Sequence, residues 1–228
     1  MQTPWLRLIG SPAWFHEAGE LRFAPERPYQ LMSLLAYRGD WISRERLASL
    51  FWPGHGADAA RRNLRKVLFR LREIPGMPLP EESAGALRWR VPTDLQHLQT
   101  ELAAGHTAAV AAAFGHSPFE GLDGDSGFAE WLQFERQRLR AQWRQALLAG
   151  IQRSDHAGEA LAWVRPLREH DPLDEEALRA ELQALQRAGR HADARQSYET
   201  FEAELLRELA TRPDASTRAL VAPGQAPA

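Results

Sequence analysis

The chain of 228 residues contains no cysteine, which excludes thiol catalysis, disulfide staples and zinc–thiolate fingers. Lys66 is its single lysine, so the cations are arginines almost throughout. A coding sequence rich in G and C produces the same bias, and arginine content by itself therefore carries no functional weight. No apolar run approaches the roughly 20 residues that cross a bilayer, and the N-terminus lacks an export pattern. The expectation is a cytoplasmic protein with no membrane partner. No nucleophile–base pair, paired catalytic carboxylates or Gly-rich phosphate cradle is legible, so the reading is of a protein that is not an enzyme and uses no cofactor. The eight histidines are scattered along the chain without metal-ligand spacing. Asp123-Gly124-Asp125-Ser126-Gly127 has a trace of a calcium loop, but Phe128 and Phe134 stand where its sixth and twelfth positions require Gly and Glu. It reads as a loop in which Ser126 caps the next helix, and no metal site is expected.

What is present is divided unevenly. Residues 1–92 hold 14 basic against 9 acidic side chains, or +5, and residues 93–228 hold 14 against 21, or -7. That asymmetry fits a polyanion-binding region followed by one that polyanions avoid. Within the basic part, residues 58–72 carry Ala60, Leu64, Val67, Leu68 and Leu71 at helical spacing. At about 100° per residue, Arg62, Lys66 and Phe69 fall opposite that stripe, with Asn63, Arg65 and Arg70 on its flanks. Asp58 is placed to cap the first turn, and Arg70 and Arg72 lie where the helix dipole favours positive charge. Any surface helix can carry arginines, so the neighbouring sequence has to decide.

Around this helix the pattern is that of a small α+β unit. Residues 5–9, 13–15 and 21–23 are short, β-prone and separated by turn residues. A helix is expected from Pro28 to Tyr37, stopped at Gly39, and a second from Arg44 to Phe51 with Ser43 as its cap. Trp52-Pro53-Gly54-His55-Gly56 makes the turn into the cationic helix. Residues 79–82 and 86–91 flank Ser83-Ala84-Gly85 as a hairpin, in which Arg88 and Arg90 alternate with Leu87 and Trp89. Three helices followed by a hairpin make a winged helix-turn-helix with a leading sheet. The remainder reads as helices over 94–104, 107–114, 127–152, 157–169, 174–188 and 190–210, then a loose last helix. Trp131, Phe134, Leu139, Trp143, Leu147 and Ile151 mark the apolar side of the longest. Glu159-Ala160 and Asp193-Ala194 recur 34 residues apart, the tetratricopeptide period. The fold class is mainly α: a winged helix-turn-helix domain at 1–92, a tetratricopeptide-like domain at 93–221 and a disordered tail at 222–228.

Several separated blocks resemble one family. Leu6-Arg7-Leu8-Ile9-Gly10, Leu34-Leu35-Ala36-Tyr37, Ile42-Ser43-Arg44-Glu45-Arg46-Leu47-Ala48, Leu50-Phe51-Trp52-Pro53 and 60–72 are similar to the DNA-binding part of Streptomyces antibiotic regulatory proteins. Phe128-Ala129-Glu130-Trp131, Asp171-Pro172-Leu173-Asp174-Glu175 and Gly189-Arg190-His191-Ala192-Asp193-Ala194-Arg195 resemble their bacterial transcriptional activator domain. Glu26-Arg27-Pro28 departs from the family at the start of the first helix, and Pro78 and Pro80 fall in the first wing strand. With no nucleotide-binding or phosphopeptide-binding module in the sequence, the chain is expected to be like the small stand-alone members. The resemblance implies a sequence-specific regulator that binds double-stranded direct-repeat DNA as a side-by-side pair, a homodimer on its site, and that recruits RNA polymerase. The recognition helix would then use Arg61, Arg62, Asn63, Arg65, Lys66, Phe69 and Arg70. Arg44 and Arg46 are placed for backbone phosphates, and Arg88 and Arg90 for the wing. The rival is a protein-interaction adaptor whose helical repeats bind a partner and whose winged helix no longer reads DNA.

Overall fold

The computed structural model describes residues 3–124 and 127–221. Ser126, expected to cap the long helix, and the tail at 222–228 lie outside the described residues. The chain forms two compact units, one of Met1–Thr100 with His116–Arg140 and the other of Glu101–Gly115 with Ala141–Ala228.

The first unit opens with β1 (Trp5–Arg7), β2 (Ala13–His16) and β3 (Gly19–Arg22), paired antiparallel in that order. Their register sets Leu6 opposite Trp14 and Trp5 opposite Phe15. Alternation then sends Leu6 and Trp14 into the core and stacks Trp5 on Phe15 at 4.5 Å on the outer face. Helix α1 (Arg27–Arg38) buries Leu31, Leu34 and Leu35 and ends where the Gly39 amide donates to the Leu35 carbonyl. The two-residue strand β4 (Ile42–Ser43) leads into α2 (Arg44–Phe51), and α3 (Ala57–Leu71) follows the Trp52–Gly56 turn. Strands β5 (Glu81–Ser83) and β6 (Ala86–Arg88) complete a sheet of order β4-β6-β5. This is a winged helix-turn-helix with a leading sheet.

Local chemistry shifted three details from expectation. Helix α3 begins at Ala57 with Gly56 as its cap residue, so Asp58 sits inside the first turn and bonds Arg61 at 2.8 Å instead of capping. The first wing strand starts at Glu81, because Pro78 and Pro80 have no N–H to give to a ladder. The hairpin turn is two residues, Ala84 and Gly85, both at positive φ (45° and 77°), the pattern of a type I′ turn whose twist matches the flanking strands. The second strand therefore ends at Arg88, and Trp89 is buried beyond it.

Residues 116–140 belong to this unit through burial. The Phe119 amide donates to the Leu8 carbonyl at 2.7 Å, the Gly10 amide donates to the Ser117 carbonyl at 2.9 Å, and the Glu120 amide donates to the Gly10 carbonyl at 2.9 Å. Phe119, Leu122, Phe128 and Leu132 are fully buried. The ring of Phe128 lies parallel to that of Phe51 at 5.2 Å. At Gly127 an added Cβ would come within 2.4 Å of the Leu50 carbonyl oxygen, so the start of α6 (Gly127–Arg153) is seated directly on the end of α2. Further along α6, the buried carboxylate of Glu135 accepts from the Tyr37 hydroxyl at 2.9 Å and from Arg138 Nε at 2.8 Å. Burial, followed by the Glu135 hydrogen bond, pushes the Tyr37 hydroxyl up to about 12. Phe134, expected inside, is 64% exposed. The buried stripe runs through 128, 132, 135 and 139, and Glu135 occupies the place the apolar pattern assigned to its neighbour.

The second unit is helical. The C-terminal end of α4 (Asp94–Ala103), α5 (Thr107–Phe114) and the later half of α6 precede α7 (Ala157–His170), α8 (Glu175–Arg187), α9 (His191–Leu209) and α10 (Ala215–Val221). Helix α8 packs against both α7 and α9. Ala160 and Ala194, the 34-residue repeat positions, are both buried, as small residues must be where helices cross closely. Leu178, Leu182, Leu185, Tyr198, Phe201 and Leu205 fill the core around Ala194. Asp174 caps α8, accepting from the Glu176 and Ala177 amides, and is gripped by Arg144 through two bonds of 2.7 and 2.8 Å. Burial raises the Asp174 carboxyl, but the Arg144 fork and the two amides outweigh it and hold the group below the usual carboxylate range. The whole is a tetratricopeptide-like array.

Candidate nucleic-acid interface

The site is built on α3. Its apolar positions Ala60, Leu64, Val67, Leu68 and Leu71 are all buried, so the opposite face is fixed outward by packing. Arg61, Arg62, Arg65, Lys66, Phe69 and Arg70 are exposed there and Asn63 is half-buried at the edge, which is the distribution the helical wheel gives. Arg61 is engaged by Asp58, and that hydrogen bond holds the Asp58 carboxyl below its ordinary range. Arg62, Arg65, Lys66 and Arg70 make no ion pair among the described residues. Four cations on one face, with Asp58 the one carboxylate of the helix, create a strongly positive ridge.

Helix α2 and the wing frame this ridge. Ser43 Oγ accepts from the Arg46 amide at 3.1 Å, a cap that contributes about 1 kcal/mol. The same residue pairs with Ala86 in the wing sheet, and the Arg44 amide donates to the Gly85 carbonyl at 2.9 Å. Wing and α2 are thus one piece of backbone hydrogen bonding. Their arginines differ in consequence. Arg46 and Arg90 are exposed and make no ion pair among the described residues. Arg44 reaches Glu82 at 2.7 Å, and Arg88 reaches Glu81 at 2.6 Å while lying 4.4 Å over the Trp41 ring. A phosphate would have to compete with a wing carboxylate for either of the last two.

Glu81, Glu82 and Trp41 were not singled out from the sequence as parts of this site. The signal existed: a two-residue Ala84-Gly85 turn sets Glu81 directly opposite Arg88, whereas the three-residue turn read from the sequence breaks that pairing. No group of three or more metal-ligating side chains occurs among the described residues, and no described helix is long and apolar enough to cross a membrane.

Fold and surface together define a winged helix-turn-helix unit followed by a tetratricopeptide-like helical array. The chain belongs to the family of the bacterial transcriptional activator domain, whose model matches residues 90–222. Among solved structures it is similar to Mycobacterium tuberculosis EmbR in complex with a low-affinity phosphopeptide, with a TM-score of 0.62 and 16% identity over 97% of this chain. The match spans 64% of that chain. No curated protein sequence matches at a significant level.

Proposed function

We propose that the protein is a sequence-specific DNA-binding transcriptional activator, in which α3 enters the major groove and the helical array contacts RNA polymerase. The observation that carries this reading is the outward face of α3. Burial of five apolar residues leaves Arg62, Arg65, Lys66 and Arg70 no direction but outward, and none of them makes an ion pair among the described residues. Within the described residues these side chains have no carboxylate ion-pair partner, whereas a duplex supplies both phosphates and guanine edges for them. Asn63 at the edge offers a bidentate partner for adenine. Arg46 and Arg90 extend the cationic surface to phosphates on either side, with Arg44 and Arg88 holding the wing in place. The pairing of two protomers on direct-repeat DNA, and the part of the acidic residues beyond 93 in contacting polymerase, follow the family resemblance and belong to the same proposal.

The test is binding of the full chain to fluorescent duplexes across a salt series. With about four to six phosphates neutralised, log Kd should change against log salt with a slope of roughly 4 to 5. A flat response on every duplex would favour the adaptor reading instead.

A further inference from the structure

One residue on the cationic face of α3 does not fit electrostatic binding. Phe69 is 60% exposed and has no ring stacking or cation–π partner among the described residues. It lies three positions after Lys66 and seven after Arg62, hence on the same face of the helix. Its neighbours on that face are cations, which attract phosphate but have no use for an exposed phenyl ring. Arg88 of the wing lies over the Trp41 ring, not over Phe69, and most of the Phe69 surface stays open to solvent. An apolar surface in the middle of a phosphate-attracting face matches one feature of the major groove, the 5-methyl group of thymine, which side chains recognise by apolar contact. Seven residues of helix rise about 10 Å, against about 3.4 Å per base step, so the ring stands about three steps from the base pair that Arg62 faces.

We propose that Phe69 is a specificity-determining residue that covers the methyl group of a thymine about three base pairs from the pair contacted by Arg62. This rests on the reading of α3 as a recognition helix. The probe is a duplex selected from a random-sequence library by the full chain, with each thymine replaced in turn by deoxyuridine, which removes only the methyl. The wild-type chain should lose about three- to fivefold in affinity at one such position, the effect of withdrawing one buried methyl group. Phe69→Ala should bind the parent duplex more weakly and be indifferent to deoxyuridine at that position. Phe69→Leu should retain part of the sensitivity. The exposed ring makes both variants safe for folding, which circular dichroism checks. If wild type is insensitive everywhere, or if Phe69→Ala keeps the same sensitivity while losing affinity on all duplexes alike, the ring serves a different contact and the proposal is overturned. If the library yields no preferred sequence at all, the recognition-helix reading itself falls, and this inference with it.

Discussion

Phe128→Ala probes the link between residues 116–140 and the end of α2. Phe128 is fully buried, stacked on Phe51 at the end of α2 and 5.4 Å from the Trp131 ring. Truncating a buried phenylalanine costs about 3 to 5 kcal/mol, the lost transfer energy plus the cavity left behind. Against a typical domain stability of about 5 to 15 kcal/mol, that is a large fraction. With a urea slope of about 2 to 3 kcal/mol/M, the midpoint of the first unit should fall by about 1 to 2.5 M. Six of the eight tryptophans (5, 14, 41, 52, 89 and 131) lie in the first unit, so fluorescence during urea unfolding of the full chain reports mainly on it. Phe134→Ala, six residues along the same helix but on an exposed ring, is the control and should stay within about 0.5 kcal/mol of wild type. A Phe128→Ala shift as small as the control's would mean that α6 does not support the winged helix, and would refute the packing argument.

Three further outcomes follow from local geometry. Ala84→Asn should stabilise the first unit by about 0.5 to 1 kcal/mol, because alanine in the left-handed region costs about 1 to 2 kcal/mol and asparagine recovers part of it; Ala84→Val should have the opposite sign in the same urea experiment. Asp174 has its folded-state pKa depressed, so the stability it contributes is present above its unfolded value of about 3.9 and is lost as pH falls through the lower folded value. Asp174→Asn keeps the helix cap but not the charge, and should lower stability at neutral pH and flatten the acid limb of the second unit's melting curve. Ala194→Glu places a carboxylate in the core between α8 and α9 and should cost several kcal/mol in the second unit, read by the same melts.

The elements were legible where periodicity and punctuation agreed. The bounds of α2 and the Ser43 cap could be read from sequence because cap, stripe and Pro53 all point the same way. The face of α3 was legible for the same reason: five apolar residues at helical spacing leave only one outward direction. Side-chain partners across strands were harder. The Ala84-Gly85 turn was read one residue too long, which hid the Glu81–Arg88 and Glu82–Arg44 pairs and made Arg44 and Arg88 look like free phosphate ligands. Tertiary packing was least visible. Nothing local marks Phe119 and Phe128 as filling the same core as Phe51, and nothing in the hydrophobic pattern marks Glu135 as buried while Phe134 faces water. Such choices depend on a hydrogen-bond partner, Tyr37, nearly a hundred residues away.

The proposed function requires α3 to read bases and not merely to attract phosphate. The direct measurement compares Arg62→Ala with wild type, as full chains at one fixed salt concentration, on a library-selected duplex and on a scrambled duplex of equal length. Loss of a base contact contributing about 1 to 3 kcal/mol predicts binding to the selected duplex about 5- to 150-fold weaker, with little change on the scrambled one. Arg46→Ala, removing an exposed cation of α2, should weaken both duplexes alike and lower the salt slope by about one. An equal loss on both duplexes for Arg62→Ala, or none on either, would contradict the claim that this helix specifies the site.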